Sequence, residues 1–247
     1  MTELKDFQPF DNFKETHQHE EELRSASLNI INEDAAMRLK FGLIEKALML
    51  LFAFVHDTKS QSSDEHTMQM LGIRVFNAGV SSIKLGLSGY YQTAFGLIRD
   101  VMETGFLIDY FRTSPEMISK WAAAGDRERQ RTFSPAKVRA ALDIRDGDTD
   151  GRRAKQYKIL CELAAHASVS GFGLTMRQGF GELGPFVEEV KLRAWIEETI
   201  RRLGPTAILF ARHFPNAQPE FLRFGQDFST DLIAALNPDK TVPHAEP

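Results

Sequence analysis

The 247-residue chain is 43% hydrophobic and 26% charged, a balance that can bury a substantial core without disulfide or metal staples. Its net charge of −4 gives no global attraction to nucleic acid, and its single cysteine, Cys161, excludes an internal disulfide and any cysteine-rich metal site. The longest uncharged apolar run, Ala47 to Val55, falls far short of the ~20 residues that cross a bilayer, so no membrane span is expected.

The opening Met-Thr-Glu-Leu-Lys-Asp lacks a basic segment followed by an apolar one, so no secretory signal is read and a cytoplasmic location is expected. Residues 1–34 hold nine acids against three bases. The first part, 1–18, is expected to be an irregular acidic arm. From Glu20 to about Asp57 the chain is free of proline, and Leu28, Ile31, Ala35, Leu39, Leu43, Ala47, Leu50 and Phe54 recur three and four apart. That spacing predicts a long helix, broken at most once. A polar loop follows at 58–66, with Asp64 as the expected cap of a helix to Leu85. Gly86 and Gly89 interrupt the path into a helix over 87–112.

Thr113-Ser114-Pro115-Glu116 stops that helix and starts a short one over 117–124; Ser134-Pro135 starts another over 135–145. After a turn at 146–151, helix 152–168 is expected, with Asp150 as its cap. The five glycines of 169–184 predict a loop or small β-hairpin. Pro185 is read as opening a helix to about Leu203, with another to His213 and a last one over 219–236. The predicted fold is all-α: one bundle of about seven or eight helices over 19–237, followed by a frayed tail at 238–247.

Several chemical signatures can be weighed on spacing. Gly179-x-Gly181-x-x-Gly184 has the letters of a dinucleotide fingerprint but no strand before it and no parallel sheet around it, so no cofactor is expected. Asp146-x-Asp148-x-Asp150-Gly151 has the front half of a calcium loop, since hard cations want clustered oxygens. Its twelfth position is Tyr157 rather than glutamate, and Arg152 and Arg153 put two positive charges inside it. His17 and His19, ahead of three glutamates, sit in the acidic arm and are read as an adventitious metal pair at most. Residues 126–158 hold ten bases against six acids. Within them Arg127, Arg129, Arg131, Arg139, Arg152 and Arg153 are the candidate contacts to RNA phosphates, although only Phe133 and Tyr157 interleave as stacking groups.

Arg99 and Glu103 lie four apart on one face of helix 87–112, among Phe95, Leu107, Tyr110 and Phe111. Partial burial would demand further partners for the pair. His166, on the face of helix 152–168 that also carries Glu162, is the expected partner. The run Ala164-Ala165-His166-Ala167-Ser168 would let a second helix approach closely. Cys161, on the apolar face, is expected to be an inert core thiol.

Taken together, Arg99-x-x-x-Glu103, the Pro-initiated helix with Trp121, the Tyr157-led helix ending in Ala-Ala-His166-Ala-Ser and the glycine-rich return resemble a bacterial all-helical family of unknown function, loosely HEPN-like, over roughly residues 70–205. The resemblance implies an inter-helix polar cluster of Arg99, Glu103, Tyr157 and His166, in a fold that commonly pairs into dimers, and a link to RNA processing or defence ribonucleases. The ribonuclease motif of that superfamily, an arginine followed after four to six residues by histidine, is absent; Arg212 directly precedes His213, and Arg153 lies well upstream of His166. The preferred reading is therefore a non-enzymatic helical protein acting through self-association into a homo-oligomer or through macromolecular binding. An RNA-processing enzyme and a calcium-modulated protein stand as the alternatives.

Overall fold

The computed structural model describes residues 9–237, with side chains from residue 12. The first eight residues of the expected arm and the tail at 238–247 lie outside the described residues. Ten helices of eight or more residues account for most of the rest, beside one two-stranded hairpin, so the chain is all-α as expected, with a slightly higher helix count.

Helix α1 spans Pro9–Glu33, so residues 9–18 are helical rather than irregular. Proline suits the first helical position because its missing N–H has no partner there anyway. Polar contacts one turn apart then sustain the exposed helix: Thr16 Oγ1 donates to the Asn12 carbonyl at 2.8 Å, and Arg24 pairs with Glu21. The break in the predicted long helix falls at Asp34. Its carboxylate accepts from Met37 N at 2.8 Å and so caps α2, Ala35–His56. Helix α3, Ser63–Leu87, is capped by Ser62 rather than Asp64, because Ser62 Oγ accepts from Glu65 N at 3.1 Å while Glu65 reaches back to Gln61 N.

Helix α4 spans Tyr91–Thr113 and packs along α3. Between them Gly89 adopts φ +88°, and a side chain there would also strike the backbone of Phe186. Helix α5, Glu116–Ala123, is followed by α6, Asp126–Phe133, a helix not separately expected from the sequence. It is strongly polar and is tied to the bundle by Phe133, whose ring meets Phe111 at 6.3 Å. Helix α7, Pro135–Asp146, ends in a left-handed Gly147. Helix α8 covers only Arg152–Leu160, and it is entered through a left-handed Gly151 with no side-chain cap, so Asp150 does not have the expected role.

Beyond α8 the chain widens into a π-helical turn, Cys161–Ala165, and leaves the helix at His166, which is extended. One short turn, α9 (Val169–Phe172), leads to the hairpin β1 (Met176–Arg177) and β2 (Phe180–Gly181). Its two-residue turn has positive φ at Gln178 and Gly179, the geometry that matches strand twist. The fingerprint-like glycines thus build a hairpin corner.

Helix α10 runs unbroken through Glu189–Ala211, starting later than Pro185 and passing through Pro205 where two helices were expected. Proline removes one helical hydrogen bond. Leu203, Ala207 and Phe210 on either side are all fully buried, and that continuous stripe outweighs the local defect. Helix α11 spans Pro219–Leu236 as expected.

The core forms where α10 lies against α2 and α4, with α3 beside them. Trp195 of α10 is fully buried, and its Nε1 donates to Ser82 Oγ of α3 at 3.0 Å, which in turn donates to the Ala94 carbonyl of α4 at 3.0 Å. Gly86 makes the notch for the indole, since a methyl there would come within 2.6 Å of the ring carbon Cδ2. Among the described residues no helix is long and apolar enough to cross a membrane.

Gly86→Ala would gain about 1 kcal/mol of helix propensity, yet it forces overlap with a ring that has no room to move. We expect net destabilisation of about 1–3 kcal/mol, read as a lowered urea midpoint.

Candidate functional site

Two pairs of residues, each four apart, face one another, Arg99 with Glu103 on α4 and Tyr157 of α8 with Cys161 at the start of the π-turn. The Arg99 guanidinium donates through Nη2 to Glu103 Oε2 at 3.0 Å and to the Tyr157 hydroxyl at 2.6 Å, and through Nε to Cys161 Sγ at 3.2 Å. The Tyr157 hydroxyl donates to the same Glu103 oxygen at 2.9 Å. Arg99 and Glu103 side chains are 28% and 32% exposed, so the ion pair is only partly screened by solvent. Burial works against the Arg99 charge, but the bonds to Cys161 and Tyr157 and the Glu103 carboxylate outweigh it and raise its pKa. Burial, reinforced by Glu103, also raises the Tyr157 pKa. The tyrosine is a fixed donor here, not an acid that would give up its proton near neutrality.

Arg139 of α7 completes the arrangement. Its guanidinium carbon stands 4.0 Å from the Tyr157 ring centroid, and that of Arg99 stands 5.1 Å away. Arg139, counted above among phosphate contacts, is thus packed into the bundle, with Nη1 buried and unpartnered. Cys161 is buried as expected, but it is a hydrogen-bond acceptor and not merely an apolar filler.

His166 stands outside this cluster. The π-turn bond from His166 N to the Cys161 carbonyl, 2.9 Å, adds a residue to the helical turn and carries the imidazole off the face that an α-helix would have given it. The side chain is exposed, and among the described residues it has no hydrogen-bond partner. Glu162 pairs instead with Lys158 at 3.5 Å. The close approach expected at the small-residue run does occur, because Gly96 of α4 faces the Ala164 carbonyl.

Asp146 and Asp148 of the 146–151 loop face arginines. Asp146 bonds to Arg145 at 2.7 Å and also to Arg153, while Asp148 accepts from the backbone N of Asp150 and from Arg152. Among the described residues no group of three or more His, Cys, Asp or Glu converges as a metal site would require. Several arginines of the basic stretch are paired with acids: Arg153 also bonds Asp143 at 2.8 Å, Arg131 bonds Glu128 at 2.6 Å, and Arg129 lies 3.7 Å from Asp126. His17 and His19 pair within α1 with Glu20 and Glu22. His213 is half-buried, with Nε2 3.0 Å from the Ile108 carbonyl, and desolvation pushes its pKa down.

Beside Glu103 lies a cleft of about 230 Å³ walled by Trp121, Phe133, Phe106 and Leu107, with Asp100 and Arg74 paired at its mouth. The chain matches no known protein family, no curated protein and no solved structure.

Tyr157→Phe removes one bridging hydroxyl and leaves the Arg99–Glu103 pair, so a loss of about 1 kcal/mol is expected from chemical denaturation. His166→Ala should fall within about 0.5 kcal/mol of wild type in the same measurement. The hydrogen bond from Arg145, helped by Arg153, holds the Asp146 carboxyl down at about 2 against an ordinary 3.8. A depressed carboxyl stabilises above its unfolded pKa, and that contribution is lost as pH falls from about 4 to about 2. Asp146→Asn should flatten the melting temperature across that window.

Proposed function

We propose that the protein is a non-enzymatic, self-associating helical bundle whose copies pair through the outward face of α2. The observation that carries this reading is the self-complementary order of that face. Leu39, Met49 and Phe52 are 59%, 60% and 47% exposed, although Leu39 belongs by spacing to the apolar series of the helix. Between them stand Gly42, with open space around its α-carbon, and the adjacent Glu45 and Lys46.

A two-fold axis between Glu45 and Lys46, with the helices antiparallel, sets Leu39 against the partner's Phe52, Gly42 against the partner's Met49, and Glu45 against the partner's Lys46. Apolar thus meets apolar, large meets small, and acid meets base, each twice, as an isologous interface requires. The flanks suit a partner as well. Two shallow depressions meet at Met49, one running to Ala234 and Ala235 of α11 and the other to Phe76 of α3. Phe52 and Phe76 rings already lie 6.2 Å apart across that second depression.

The RNA-processing alternative has less behind it. Arg129, Arg131, Arg152 and Arg153 are each paired with a carboxylate of the chain, which weakens the field they offer to a phosphate backbone, and Tyr157, Glu103 and Arg99 bond one another.

Sedimentation should find wild-type dimers. Met49→Asp should give monomers with an unchanged far-ultraviolet spectrum. Glu45→Lys and Lys46→Glu should each weaken pairing, since each sets like charges opposite one another. Mixing the two variants should restore a dimer, because every contact is then acid against base. A wild type that stays monomeric at the highest attainable concentration, or a Met49→Asp dimer as tight as wild type, would refute this reading.

A further inference from the structure

A groove of about 570 Å³ runs between α10 and α11 on the other edge of α11 from its contact with Lys46. Its size lies within the range of about 300–1,000 Å³ in which proteins hold small molecules. The floor is apolar: Phe54 of α2, fully buried, with Ile208, Phe221 and Leu222. The rim is polar, with Arg212 at the C-terminal end of α10 and Gln226 and Ser229 on α11.

No carboxylate lines this groove, and among the described residues the Arg212 guanidinium has no ion pair or hydrogen bond. This sets it apart from Arg99, Arg145 and Arg153, which are each held by carboxylates of the chain. A cation without a counter-ion at the edge of an oily trough has one simple complement, a molecule with an anionic head and an apolar tail. We infer that this groove binds a small amphipathic carboxylate, its chain along Ile208, Phe221 and Leu222 and its head group on Arg212, with Gln226 and Ser229 as further donors.

Two electrostatic effects compete at the head group. The last carbonyls of α10 present about half a negative charge to an approaching anion. Arg212 presents a full positive charge on a planar fork of donors that matches two carboxylate oxygens. The guanidinium therefore sets the sign of the site, and a neutral head group would forgo its contribution. A cationic head group would meet repulsion. The apolar floor is indifferent to head-group charge, so chain binding and head-group recognition can be measured separately.

The test uses the full chain with octanoate and with 1-octanol, which share a chain length and differ in head group. Octanoate should bind by titration calorimetry and raise the melting temperature in a concentration-dependent way, as a ligand specific for the folded state must. 1-Octanol should bind more weakly. Arg212→Gln should weaken octanoate about tenfold and bring the two ligands level, while Arg212→Lys should keep part of the preference. Arg223→Gln removes an equal charge from an exposed position of α11 outside the groove, and it should leave octanoate affinity unchanged. Absence of octanoate binding, equal affinity in wild type and Arg212→Gln, or the same loss in Arg223→Gln would each overturn the assignment.

Discussion

The Trp195 indole, seated against Gly86 and hydrogen-bonded to Ser82, sets the spacing of the helices around it. An aromatic ring of this size, fully buried, holds α10 at a fixed depth between α3 and α4. Its N–H must find a partner once water is excluded, and Ser82 supplies one while passing its own hydrogen to α4. Three helices are thereby joined by one short chain of donors and acceptors inside an otherwise apolar core. The position of α4 follows from this contact, and with α4 come Arg99 and Glu103.

The polar cluster between α4 and α8 has the character of a fastener. Arg99 Nε and Nη2 each meet an acceptor, and the Tyr157 hydroxyl is oriented by a carboxylate. Such closure rigidifies a contact, because leaving one member unpaired costs more than a typical hydrogen bond contributes. The loop acids and basic helices nearby follow the same economy of charge, with Arg145 and Arg153 clamping Asp109, Asp143 and Asp146 across α4, α7 and α8. What the molecule offers outward is therefore carried elsewhere: by the exposed stripe of α2 and by the groove where Arg212 stands without a counter-ion. Both features place apolar surface next to charged side chains, a combination suited to recognition.

Much of the local structure was legible in the sequence. Three- and four-residue spacing of apolar side chains marked α2, since burying one face of a helix demands that period. Proline marked the starts of α7 and α11, while the sequence allowed one break in the first long helix and the structure placed it at Asp34. Arg99 and Glu103 were legible as a pair because four residues make about one turn. Where local signals conflicted, packing decided. Proline and glycine at 204–205 suggested an end to α10, yet the buried stripe of Leu203, Ala207 and Phe210 carried the helix through.

The sequence by itself determined the all-α class, the placement of most helices and the pairing of neighbours along one helix, because these depend on contacts between residues a few positions apart. Only the tertiary structure decided which faces meet. It brought Arg139 onto Tyr157, turned Cys161 into a partner of Arg99, and excluded His166 through a single widened turn. It also left Leu39, Met49 and Phe52 uncovered on a helix whose other face is buried. Periodicity reports which residues share a face. Which neighbour covers that face is set by the packing of the whole chain around Trp195, and no stretch of sequence encodes it alone.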